Sequence, residues 1–102
     1  MRISEDKINK IKEEALAILF RNSPKAMFTV EIASHMARDE EFMKKLLLDL
    51  ETKGLVSSVR KNINGTDYIR RIRWRLTNTA FQAYQRVHSE NLSYDEEEHT
   101  YS

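Results

Sequence analysis

Apolar residues recur at helical spacing through the first half of the chain and then alternate with polar ones, so the pattern predicts helices followed by a β-ribbon. Ile8, Ile11, Ala15, Ile18 and Leu19 form one stripe. The helix that carries them is expected to open at Ser4, an N-cap with Glu5 and Asp6 at the positive end of the dipole, and to run to about Asn22 before Ser23-Pro24. Lys25-Ala26-Met27-Phe28 fits a short first strand. Thr29 is expected to cap a brief helix from Val30 to about Ala37, with Ile32, Ala33 and Met36 inward. Asp39 reads as the N-cap of the next, in which Met43, Leu46, Leu47 and Leu50 gather on one side and Phe42 flanks them. Its other side presents Glu40, Glu41, Lys44, Lys45, Leu48 and Thr52. Leu48 is thus the large apolar residue that points away from the core, either half covered by a neighbouring segment or part of a partner surface.

Gly54 closes this helix as a C-cap, and Gly65 follows Asn64 inside the alternating stretch as a type I′ hairpin signal. With a two-residue turn at Asn64-Gly65, paired strand residues have numbers that sum to 129. Leu55/Trp74, Ser57/Ile72 and Val59/Arg70 then share the face that packs on the helices, continued by Leu76. Val56/Arg73, Ser58/Arg71 and Arg60/Ile69 share the other, which carries Arg60, Arg71, Arg73 and Arg75 toward solvent. Thr77 can cap a last helix with Ala80, Phe81, Tyr84 and Val87 at helical spacing. After about Ser89 the chain turns acidic, through Tyr94-Asp95-Glu96-Glu97-Glu98-His99. Residues 1–90 are read as one domain and 91–102 as an acidic, disordered tail.

A length of 102 residues fits a single core. The absence of cysteine excludes disulfides and thiolate metal sites and fits an intracellular, cytoplasmic protein. No apolar run approaches the ~18 residues of a membrane span, and the start is charged too early for a signal peptide. The net charge of +1 conceals a strong segregation. Residues 1–54 hold ten Lys/Arg and ten Asp/Glu, residues 55–76 hold six against one, and residues 77–102 hold one against five. A basic ribbon therefore lies between a balanced body and an acidic end.

Three segments resemble winged-helix-turn-helix transcription regulators of the broad MarR-like and PadR-like kind. Phe28-Thr29-Val30-Glu31-Ile32-Ala33 is similar to the opening of their second helix. Leu50-Glu51-Thr52-Lys53-Gly54-Leu55-Val56 is similar to the end of their recognition helix, and Trp74-Arg75-Leu76-Thr77 to the exit from their wing. The resemblance covers roughly residues 5–88. It departs at Ala80, where such proteins often carry glycine, and at Asp39-Glu40-Glu41, where they commonly carry small polar or basic residues. It implies an α+β winged helix, with a three-helix core, a small antiparallel sheet and wing, and a C-terminal helix. It also implies a helix in the major groove of duplex DNA and a wing on the backbone or minor groove.

The residues themselves are suited to that use. Arg60, Lys61, Arg70 and Arg71, with Arg73, supply cations for phosphates, while Asn62 and Asn64 near the tip can hydrogen-bond to phosphate or minor-groove acceptors. Lys44 and Lys45 are the expected contacts on the helix. The alternative for the ribbon is an edge strand kept soluble by its charges, and for the two lysines a solvated face. Glu40 and Glu41 either complement the helix dipole, or turn the helix toward a protein partner, or accept from cytosine N4. Trp74, Phe81 and Tyr84 are expected in the core rather than as stacking platforms.

His35, His88 and His99 are isolated and lack metal-ligand spacing, and no nucleophile motif or phosphate-cradling loop is present. The expectation is a non-enzymatic DNA-binding regulator of transcription without metal, cofactor or small-molecule substrate. The alternative is a winged-helix assembly module in a transcription, replication or ribosomal complex. A homodimer built on the first and last helices is expected. The competing view closes Phe81 and Tyr84 into the monomer, leaving Val87, Gln82, Gln85 and Arg86 outside.

Overall fold

A computed structural model of the chain describes residues 4–59, 62–63, 66–67 and 72–100. Among these, four helices and five strands follow one another as α1 (Glu5–Asn22), β1 (Met27–Phe28), α2 (Thr29–His35), α3 (Glu40–Thr52), β2 (Val56–Val59), β3 (Asn62–Ile63), β4 (Thr66–Asp67), β5 (Arg73–Leu76) and α4 (Asn78–Thr100). β1, β5 and β2 form an antiparallel sheet in that order, and β3 and β4 form a separate antiparallel pair. The arrangement is the expected winged helix.

Local chemistry sets the helix ends. Ser4 Oγ accepts from the Lys7 N–H at 3.3 Å, and Asp39 Oδ2 accepts from the Phe42 N–H at 3.1 Å; each side chain thereby satisfies one of the orphan donors of a first turn. α3 ends in a Schellman turn. The Gly54 N–H donates to Glu51 O, the Leu55 N–H donates to Leu50 O, and Gly54 takes φ +75°.

The helical stripes meet as expected. Ile11, Ala15, Ile18 and Leu19 of α1, Ile32 and Ala33 of α2, and Met43, Leu46, Leu47 and Leu50 of α3 are buried together with Met27, Val56, Ile72, Trp74 and Leu76. Leu48 is half-buried and packs against this core, which is the covered reading of that residue.

Three local expectations are corrected. Thr29 does not cap α2: it is the first helical residue, and its hydroxyl is taken by the core. The cap backbone is Phe28, whose N–H donates to Glu31 Oε1 at 3.0 Å. Second, α2 stops at His35, and Ala37 takes φ +51° in a turn with the same bonds as that at Gly54, from Ala37 N–H to Ser34 O and from Arg38 N–H to Ala33 O. Ala37 therefore occupies a left-handed position that glycine fills without strain. The last helix, α4, spans Asn78–Thr100, in a segment with no glycine or proline after Gly65 to end it.

The third correction concerns strand register. At the tip, Asn62 pairs with Asp67 and Ile63 with Thr66, as expected for a turn at Asn64-Gly65; the turn itself lies outside the described residues. At the base, Val56 pairs with Leu76, Ser57 with Arg75, Ser58 with Trp74 and Val59 with Arg73. Between the two ladders lie residues 60–61 on one strand and 68–72 on the other, so the register shifts by three. An odd shift exchanges the faces of one strand relative to its partner. Ile72, Trp74 and Leu76 face the core as expected, but it is Val56 that joins them, at 1% exposure, rather than Leu55 and Ser57.

Candidate nucleic-acid interface

β2 starts directly after the Gly54 turn, and Thr77 fastens the return: its N–H donates to Leu55 O at 3.2 Å and its hydroxyl donates to Gly54 O at 2.9 Å. The same hydroxyl accepts from the Ala80 N–H at 3.2 Å, so Thr77 also caps α4, as its position predicts.

The candidate residues divide among these elements. Lys44 is half-buried and Lys45 is exposed, and the helix separates them. Lys45 lines the depression between α1 and α3 with Ile8, Lys12, Phe42, Asp49 and Lys53. Lys44 shares its strip, at helical spacing, with Leu48 and Glu51 on the side where β2 lies. Arg73 sits on the outer face of β5, and its guanidinium lies over the ring of Phe28, its cross-strand neighbour, 5.7 Å from the centroid. Arg75, two residues on, is exposed on the same face. Asn62 lies in β3. Arg60, Lys61, Asn64, Arg70 and Arg71 lie outside the described residues.

Two features escaped the sequence reading. The Arg38 guanidinium, in the turn between α2 and α3, lies over the Phe42 ring at 6.0 Å. Glu51, in the last turn of α3, accepts two hydrogen bonds from Ser58. The spacings of four and seven residues would mark neighbours on one helix, but Arg38 precedes α3 and Ser58 lies in β2 beyond the Gly54 turn, so no local signal marks either contact.

The α1 side of α3 is held by charge. Lys12 Nζ donates to Asp49 Oδ2, which Lys53 Nζ also approaches at 3.3 Å. These ammonium groups, Lys12 first, hold the Asp49 carboxyl below its ordinary range, and the bond to Asp49 raises the Lys12 ammonium above its own. On the far side, Phe20 of α1 packs against Phe81, Tyr84 and His88 of α4 with centroids 5.3, 5.1 and 5.7 Å away. Phe81 and Tyr84 are therefore half-buried within the monomer, while Val87 stays 56% exposed beside an apolar groove that Leu16, Ala17 and Ala83 also line.

Among the described residues, no three metal-ligating side chains cluster, and no helix is long and apolar enough to cross a membrane.

No protein-family model and no curated protein sequence matches the chain. Solved structures match its fold. The Staphylococcus aureus MepR–DNA complex aligns with TM-score 0.65 at 17% identity over 93% of this chain and 77% of that one. The MarR family transcriptional regulator SPO1453 from Silicibacter pomeroyi aligns with TM-score 0.63 at 20% identity over 90% and 64%. A Lactococcus lactis ZitR mutant in apo form aligns with TM-score 0.60 at 20% identity over 95% and 73%. Against a MepR mutant from a multidrug resistant S. aureus clinical isolate, this chain spans only 50% of the other's length. The chain has the winged-helix fold of MarR-family transcriptional regulators.

Proposed function

We propose that this protein binds duplex DNA and regulates transcription, with α3 at the major groove and the basic ribbon on the phosphate backbone or minor groove. The observation that carries this reading is the concentration of six basic residues against one acid between Leu55 and Leu76, in the segment that a winged helix uses as its wing. Lys44, on the side of α3 nearest β2, and Arg73, held by Phe28, extend that basic surface; Arg60, Lys61, Asn62, Asn64, Arg70 and Arg71 belong to the ribbon, and Lys45 is the outlying member. The S. aureus MepR–DNA complex, similar in fold at 17% identity, supports the reading that the chain binds DNA.

A palindromic site calls for two copies at helical-turn spacing. The groove between α1 and α4, with Val87 exposed at its rim, is the surface for a second copy. Light scattering is then expected to give twice the monomer mass of 12.1 kDa.

The second reading, an assembly module that meets RNA or an acidic protein, draws on α3. Asp39 is engaged in the cap, but Glu40 and Glu41 remain exposed at the end of α3 that would meet the bases. Titration of the protein with genomic duplex fragments at several salt concentrations separates the two. The regulator reading expects salt-dependent duplex binding at low micromolar concentration or better; equal or stronger binding to single-stranded RNA, with no duplex preference, favours the module.

A further inference from the structure

Among the described residues, one side chain of the last turn of α3 hydrogen-bonds to β2. Glu51 Oε2 accepts from the Ser58 backbone N–H at 3.2 Å and from the Ser58 hydroxyl at 2.6 Å. Among the described residues, β2 has a strand neighbour only on its β5 side. Its other edge is open to side-chain partners, and Glu51 takes one backbone donor there. Among the described residues this is the only side-chain hydrogen bonding from α3 to the sheet.

Its position in the chain gives it leverage. Ser58 precedes Val59, the end of β2, and the basic pair Arg60-Lys61 follows at once. At the same level on the other strand, Val59 faces Arg73, which Phe28 holds, and Ser58 faces Trp74, which Thr29 holds. The two strands of the ribbon's base are thus fastened from different sides, β5 by β1 and α2, and β2 by α3. Farther out, the ladder of β3 and β4 stands three residues out of register with the base.

We propose that Glu51 is a positioning residue for DNA binding: it fixes the wing at a set angle to α3, so that both elements meet one duplex together. The proposal rests on the DNA-binding reading above. Two binding elements held in their bound geometry lose less freedom on association than two that swing independently. A charged acceptor makes stronger bonds than a neutral one, which suits a tether that must hold a projecting ribbon. By charge alone, however, a carboxylate beside a phosphate-binding ribbon opposes affinity. Position and charge therefore predict opposite effects when the side chain is removed.

The test uses the full chain and a duplex that the wild type binds, with affinity measured against salt concentration and the fold followed by circular dichroism. Glu51→Ala is expected to weaken binding by about tenfold and to flatten the salt dependence as the wing disengages from the phosphates. Glu51→Gln keeps an acceptor for Ser58 without the charge and is expected to bind within about twofold of wild type. Ser58→Ala, which removes only the hydroxyl bond, is expected to lose about threefold. Wild-type affinity and salt slope in Glu51→Ala, or tighter binding by that variant, would overturn the positioning role and leave the DNA-binding reading intact. Absence of duplex binding by the wild type would overturn both.

Discussion

The indole N–H of Trp74 donates to the hydroxyl of Thr29 at 2.8 Å, inside the core and across 45 residues of sequence. Trp74 is fully buried and Thr29 is 7% exposed, so this bond satisfies a donor that has no access to water and locks the wing's return strand to the first turn of α2. Thr29→Val keeps the shape and deletes the acceptor. It is expected to cost about 1–3 kcal/mol, because the indole N–H stays buried without a partner. Thr29→Ser keeps the acceptor and loses a methyl, for about 1 kcal/mol. Urea denaturation of the two variants checks this, and a Thr29→Val midpoint at or above that of Thr29→Ser would contradict it.

The turns that end α2 and α3 are built alike but filled differently. Ala37 at φ +51° bears the left-handed penalty of an L-residue, whereas Gly54 at φ +75° does not. Ala37→Gly is therefore expected to stabilise the protein by about 0.5–1 kcal/mol, the relief of strain exceeding glycine's entropic cost. Gly54→Ala is expected to destabilise by about 1 kcal/mol through the backbone alone, since nothing lies within 4 Å of the added Cβ. Paired denaturation curves should move in opposite directions.

The proposed role of the ribbon makes a separate prediction. Alanine at Arg60, Lys61, Arg70 and Arg71 together should weaken binding to every duplex alike and lower the salt slope by roughly 0.9 for each phosphate no longer neutralised. Because the described core is built from other residues, circular dichroism and the urea midpoint should stay close to wild type. Unchanged affinity in a folded variant would falsify the assignment.

The Lys12–Asp49 bond links α1 to α3 and has a defined pH window. Folding lowers the Asp49 value below 3.8, through Lys12 first and Lys53 second, so its contribution is complete above the ordinary carboxylate range and fades as pH falls through the lowered value. Folding raises the Lys12 value above 10.5, chiefly through the bond to Asp49, so that contribution is complete below 10.5 and fades as pH rises past the raised value. Asp49 is 48% exposed, and the effect is that of a surface pair. Asp49→Asn should be less stable than wild type at neutral pH, and thermal melts of the two should converge as pH falls toward about 2. A gap that persists undiminished in acid would assign the destabilisation to another cause.

Much of the fold was legible in local chemistry. Ser4, Asp39 and Thr77 cap helices within three residues of themselves, Gly54 ends α3, and the stripes at Ile11–Leu19 and Met43–Leu50 point inward. Such signals act within one helical turn and can be read without knowing what surrounds them. The charge segregation that motivates the proposed ribbon is likewise a property of the sequence alone.

The tertiary structure decided what depends on distant partners. Alternation along β2 allows either Leu55 or Val56 inside, and the choice fell to Val56 because the base ladder is displaced by three residues from the tip. Thr29 has a side chain suited to capping, yet a buried indole claimed it. Ala37 carries no mark of a left-handed turn, yet it takes one between α2 and α3. Glu51 meets Ser58 only because the Gly54 turn folds β2 back along α3. The sequence by itself determined the helical stripes, the caps of α1, α3 and α4 and where the positive charge lies; register and cross-element bonds such as those of Glu51 to Ser58 came from packing, because they are energies between residues that only the folded chain brings together.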